Sequence, residues 1–206
     1  MVRYQRNRMA GVSDERWMRI STVSALLGGG LLALSGVAMH SVLSVEQSTV
    51  AAPFLAAAML LLVAGLPALH LSERHWFDTL AKAGFGLMAV GWIVAALSFP
   101  IANYAFEIVF LGFLLGLLVA MIGALVLGVS MLRNDELAVP RPGAWLLVAA
   151  LPVGLPFTIA FTGYVMGGVD SPWAGPMLLY GLAWVVFGYH LRAHRADAAS
   201  TEAVPQ

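Results

Sequence analysis

Six apolar runs of roughly membrane-crossing length follow one another along the chain, and every basic residue falls outside alternate connections between them. Arg3, Arg6, Arg8, Arg16 and Arg19 precede the first run. Arg74 sits in the second connection and Lys82 just inside the third run. Arg133 and Arg141 flank the fourth connection, and Arg192 and Arg195 follow the last run. The first, third and fifth connections carry Glu46, Glu107 and Asp170 and no Lys or Arg. Positive charge is retained on the cytoplasmic side of a membrane, so this pattern puts both termini in the cytoplasm.

The runs are read as Ile20–Leu43, Val50–Leu71, Phe77–Leu97, Tyr104–Leu132, Ala144–Val165 and Pro172–Leu191. Each reaches or nearly reaches the ~20 residues that carry a helix across ~30 Å of hydrocarbon. A helix pairs its backbone groups internally, which hydrocarbon demands. The runs lack the ~10-residue alternation of membrane strands. The expected fold is therefore all-α, a polytopic integral membrane bundle of six transmembrane helices in the cell membrane. Residues 1–19 form a cytoplasmic N-terminal tail, 20–191 the transmembrane domain and 192–206 a disordered cytoplasmic C-terminal tail. The first run is longer than a signal peptide's ~7–15 apolar residues and is read as a retained span.

Composition narrows the function more by exclusion than by assertion. Of 206 residues 60% are hydrophobic and 11% charged, against about 25% charge in soluble domains. Eleven acidic and eleven basic residues cancel, so there is no basic footprint for nucleic acid. The chain has no cysteine, which removes thiolate metal sites, disulfides and cysteine nucleophiles. No HExxH pattern, carboxylate cluster or deep acid–base pair lies within a run. His70 and His190 lie near inner helix ends and are the one pair able to face each other across a haem. His40 alone is available on the outer side, and no cofactor is expected. An outer grouping of His40, Glu46, Glu107 and Asp170 has nothing in the sequence to fix it together.

The sharpest local signal is Leu151-Pro152-Val153-Gly154-Leu155-Pro156 in the fifth run. Each proline removes an amide hydrogen, which frees the carbonyls of Val148 and Pro152 in mid-run. Thr158 and Thr162 follow on the same helix and are placed to re-pair locally. Such a break is either a static kink or a site. Lys82 is shallow enough to reach the cytoplasmic face, and Asp78 stands four residues before it at ion-pair spacing. Together they read as an anchoring pair. Gly112 and Gly116, with Gly84, Gly86 and Gly91, allow close helix approach, within the chain or between copies. Trp92 and Trp184 lie deep and read as packing or lipid contact.

These features point to a non-catalytic accessory or structural subunit that binds other membrane components, with membrane lipid, another membrane protein or a second copy as partner. The alternative is a small-solute or ion transporter or channel using Pro152, Pro156, Thr158, Glu107 and Lys82. A membrane enzyme is the third reading.

Overall fold

A computed structural model describes residues 2–41, 45–73, 77–104, 107–134, 140–166 and 172–202. Among these the backbone is helical and contains no strand. The helices are α1 (Val2–Ser41), α2 (Val45–Glu73), α3 (Thr79–Tyr104), α4 (Phe110–Arg133), α5 (Arg141–Ala150), α6 (Gly154–Phe161) and α7 (Ala174–Glu202). Five stretches are long and apolar enough to cross a membrane: Arg16–Ala38, Pro53–Ser72, Thr79–Ala102, Phe110–Arg133 and Ala174–Ala193. The pair α5 and α6, bent by 57°, makes a sixth if it is one span.

Helix bounds depart from the sequence reading in three places. α1 begins at Val2 and α7 continues to Glu202, so helix extends into both polar tails, including the one expected to be disordered. Glu107 falls inside the fourth run, read as Tyr104–Leu132. It instead opens a 3₁₀ turn, Glu107–Val109, ahead of α4, because α3 runs on to Tyr104 and the chain must reverse before α4 starts.

The helices pack as a closed ring. α1 touches α2, α2 touches α3, α3 touches α4, α4 touches α5, α5 touches α7, and α7 returns to α1, while α6 lies against α7. Neighbours run antiparallel, as short connections require. The interior is filled from every side of the ring: Leu32, Met59, Met88, Trp92, Leu117, Met121, Leu147, Tyr180 and Phe187 are all at most 1% exposed. In hydrocarbon the hydrophobic effect does not separate core from surroundings, so close packing and dispersion hold such a ring together.

Glycine seams set the closest approaches. A Cβ on Gly116 of α4 would stand 2.7 Å from Ala95 N and 2.9 Å from Gly91 O of α3. On the opposite side of the ring, one on Gly29 of α1 would stand 2.7 Å from Gly181 O of α7. Outward faces carry large apolar side chains instead, such as Leu34, Val90, Leu97 and Leu115. Arg16, Arg19, Lys82, Arg133 and Arg192 are exposed, and the antiparallel order gathers them at one end with the exposed rings of Trp17, Trp145 and Tyr189. Tyr164 is exposed at the other end.

Candidate functional site

Backbone irregularity is concentrated where α5 meets α6. Pro53, Pro67 and Pro100 sit inside α2 and α3 without ending them. Pro152 and Pro156 differ in acting four residues apart, on either side of Gly154. Two missing amides on one side of a helix and a residue of low helix propensity between them break the ladder there. Bonds from Val153 N to Ala149 O (2.9 Å), Leu155 N to Leu151 O (3.2 Å) and Phe157 N to Val153 O (3.0 Å) carry the chain across. The carbonyls of Val148 and Pro152 keep no such donor, because residues 152 and 156 have no N–H.

The break is asymmetric. Pro152, Val153, Pro156 and Phe157 are exposed, whereas Gly154, Thr158 and Thr162 are buried against α7. Gly154 allows this contact: a Cβ there would stand 2.7 Å from Pro176 N. The Thr158 hydroxyl donates to Gly154 O at 3.0 Å and accepts from Gly175 N at 2.7 Å. Gly175 lies in the first turn of α7, where an amide has no partner within its own helix. Thr158 therefore supplies from another helix what an N-cap side chain supplies locally. Thr162 donates to Thr158 O at 2.8 Å, and α6 runs on into a π-helical turn, Thr162–Met166. Both threonines bond back to their own segment, but to Gly154 O and Thr158 O rather than to the freed carbonyls of Val148 and Pro152. The link to Gly175 is an addition that sequence reasoning did not contain.

The bundle centre holds a second polar feature. Trp92 Nε1 of α3 donates to the Tyr180 hydroxyl of α7 across the ring at 2.5 Å, with ring centroids 5.0 Å apart. Trp184, one turn along α7, lies 6.2 Å from Tyr180 and 6.2 Å from Phe187 between ring centroids. Its Nε1 is buried beside the Tyr180 hydroxyl without a partner of hydrogen-bonding geometry in the protein. Tyr180 had no place in the sequence reading, since nothing local marks a tyrosine as the acceptor for a tryptophan 88 positions away.

The remaining candidates fall into separate places. Asp78 stands at the N-cap of α3, where its Oδ1 accepts from Ala81 N at 2.7 Å and from Ser130 Oγ of α4 at 3.2 Å. Lys82 N donates to Asp78 O at 3.0 Å, but the Lys82 side chain is exposed. Among the described residues no ion pair joins it to the Asp78 carboxylate. Gly116 is buried in the α3–α4 seam, and a Cβ on Gly112 would stand 2.9 Å from Ser98 Oγ, so both face another helix of the same chain. The Glu107 side chain, and those of His40, Glu46 and Asp170, lie outside the described residues. His70 packs against Phe77 and Phe85, with centroids 5.5 and 5.3 Å away. Among the described residues no group of three His, Cys, Asp or Glu is placed to hold a metal.

In α1 the Thr22 hydroxyl bonds back to Met18 O at 2.8 Å and the Ser35 hydroxyl to Leu31 O at 2.8 Å, the local pattern open to hydroxyls inside a helix. What the arrangement can do chemically is hold one bundle shape and present a bent, partly unpaired segment on its outside. Compared with protein-family models, with curated proteins and with solved structures, the chain matches none.

Proposed function

We propose that the chain is a six-span subunit of a larger cell-membrane assembly, with both termini cytoplasmic, and that the outward side of the α5–α6 break is the surface another membrane polypeptide covers. One observation carries this reading. The prolines of the break point out of the ring while its interior is packed with side chains. Non-helical backbone is tolerated at membrane depth where protein or water covers it, not against lipid tails. Water reaching the break from inside would need a passage through the Trp92–Tyr180 core. A neighbouring helix bearing a hydroxyl or amide donor would meet the Val148 and Pro152 carbonyls from outside. Val153, Phe157 and Phe161 supply the apolar contact around them, with Phe157 and Phe161 stacked at 5.8 Å. The close-approach glycines Gly29, Gly84, Gly91 and Gly116 are used up inside the ring, although Gly30, Gly86 and Gly163 face open space.

The orientation rests on the basic rim. Arg16, Arg19, Lys82, Arg133 and Arg192 share one end of the bundle, and that end belongs in the cytoplasm. The absence of cysteine makes single-cysteine variants directly usable. Val153→Cys and Phe157→Cys, treated in native membranes with a short reagent carrying one thiol-reactive arm and one photoactivated arm that inserts into any neighbouring chain, are expected to give one adduct of discrete mass. Leu115→Cys, on the outward face of α4, is expected to give none. An adduct of twice the chain's mass identifies a second copy as the partner. Equal absence of adducts at all three positions removes the subunit reading. Reaction of Met121→Cys in the core with a water-soluble maleimide would support a solute passage instead.

A further inference from the structure

The hydrogen-bond ledger at the bundle centre does not balance within the protein. Trp92 Nε1–H, Trp184 Nε1–H and the Tyr180 hydroxyl bring three donor hydrogens together, and the Tyr180 oxygen is the side-chain acceptor among them. Trp92 takes one lone pair of that oxygen. Trp184 Nε1 lies beside the same hydroxyl but makes no bond of hydrogen-bonding geometry within the protein, and among the described residues the Tyr180 hydroxyl is seen only as an acceptor. Both side chains are at most 1% exposed. Trp184 lies near the middle of Ala174–Ala193, far from both ends of that apolar stretch. Buried polar groups in folded proteins have partners with few exceptions, and hydrocarbon makes exceptions costlier.

We propose that Trp184 and Tyr180 form an internal site for one hydrogen-bond-accepting oxygen, which takes the indole hydrogen of Trp184 and the hydroxyl hydrogen of Tyr180. Two chemical carriers supply such an oxygen in this setting: an enclosed water, or the carbonyl of an apolar molecule drawn from the membrane. A carbonyl matches two donors without bringing hydrogens of its own. A water accepts both and must pass its own hydrogens to helix carbonyls. The surroundings suit either. Met59, Met88, Met121 and Met177 belong to the same core cluster, and unbranched thioether side chains adapt to make room for a small group. This site is independent of the outward α5–α6 face, so its failure leaves the subunit reading untouched.

The test uses the full chain in lipid nanodiscs with 15N-indole tryptophan. The Trp184 indole resonance is assigned by its loss in Trp184→Phe, or by elimination with single Trp→Phe variants at the other tryptophans. The expected Trp184 N–H shift is that of a hydrogen-bonded indole, and it persists in Tyr180→Phe, where residue 180 offers no oxygen. A shift matching free indole in apolar solvent overturns the proposal. So does a bonded shift that reverts to free in Tyr180→Phe, which would make Tyr180 itself the acceptor. Native mass spectrometry separates the carriers once the bonded shift is seen. A released carbonyl compound of defined mass identifies an apolar ligand. No added mass, with magnetisation transfer from water to the Trp184 indole, identifies water.

Discussion

The Thr158 hydroxyl accepts the Gly175 amide hydrogen at 2.7 Å while donating to Gly154 O at 3.0 Å. One side chain thus closes a carbonyl at the start of α6 and an orphan amide in the first turn of α7. The broken span is held to its neighbour by this bond and by the close approach of Gly154 to Gly175 and Pro176. Thr158→Val keeps the shape and removes both bonds, leaving a buried N–H unpaired. That costs about 1–3 kcal/mol and is expected as a lower Tm in lipid nanodiscs. Thr158→Ser retains the hydroxyl and is expected to recover most of the loss.

Two glycines five residues apart on α3 should behave oppositely. A Cβ on Gly91 would stand 2.6 Å from Gly116 O and closer still to Ala120 N, whereas one on Gly86 meets nothing within 4 Å. Gly91→Ala forces α3 and α4 apart, at the ~1–3 kcal/mol typical of overpacking. Gly86→Ala is expected to be neutral or up to ~1 kcal/mol stabilising through helix propensity. Denaturation of both variants side by side in one detergent checks the contrast.

Asp78 should matter and Lys82 should not. Asp78→Ala removes the cap on Ala81 N and the tie to Ser130 of α4, for a loss of about 0.5–2 kcal/mol. Lys82→Gln changes an exposed side chain outside any ion pair with Asp78 and is expected within ~0.5 kcal/mol of the parent. Comparable losses for the two variants in thermal unfolding would reinstate the ion pair.

Trp92 and Tyr180 should be energetically coupled. Either Trp92→Phe or Tyr180→Phe breaks the bond that crosses the ring. The double variant is expected to cost less than the sum of the singles by ~0.5–3 kcal/mol. Additive losses would mean the two rings contribute by packing alone.

Local chemistry was legible in the sequence and long-range pairing was not. Pro152 and Pro156 announce a break because a missing amide acts on its own helix, and α5 does end at Ala150. The same local reasoning finds Thr158 and Thr162 bonding backwards. It cannot find Gly175, which belongs to another helix. Asp78 and Lys82 stand at ion-pair spacing, yet Asp78 falls at the N-cap of α3, one residue before Thr79, where the Ala81 amide is nearer to its carboxylate than the Ser130 hydroxyl is. Gly112 and Gly116 mark a close approach without naming the partner helix, and that partner is α3 of the same chain. The outward facing of the prolines depends on which side of α6 meets α7. Apolar periodicity could not decide it, because both faces of this segment are apolar.

A cysteine-free chain allows the membrane account to be tested with two single substitutions. Glu46→Cys and Arg74→Cys are each expressed in intact cells and exposed to a membrane-impermeant maleimide. The expected result is labelling of Glu46→Cys alone, with Arg74→Cys reacting only after the membrane is opened. Equal labelling of the two in intact cells would contradict a bundle whose basic end faces the cytoplasm.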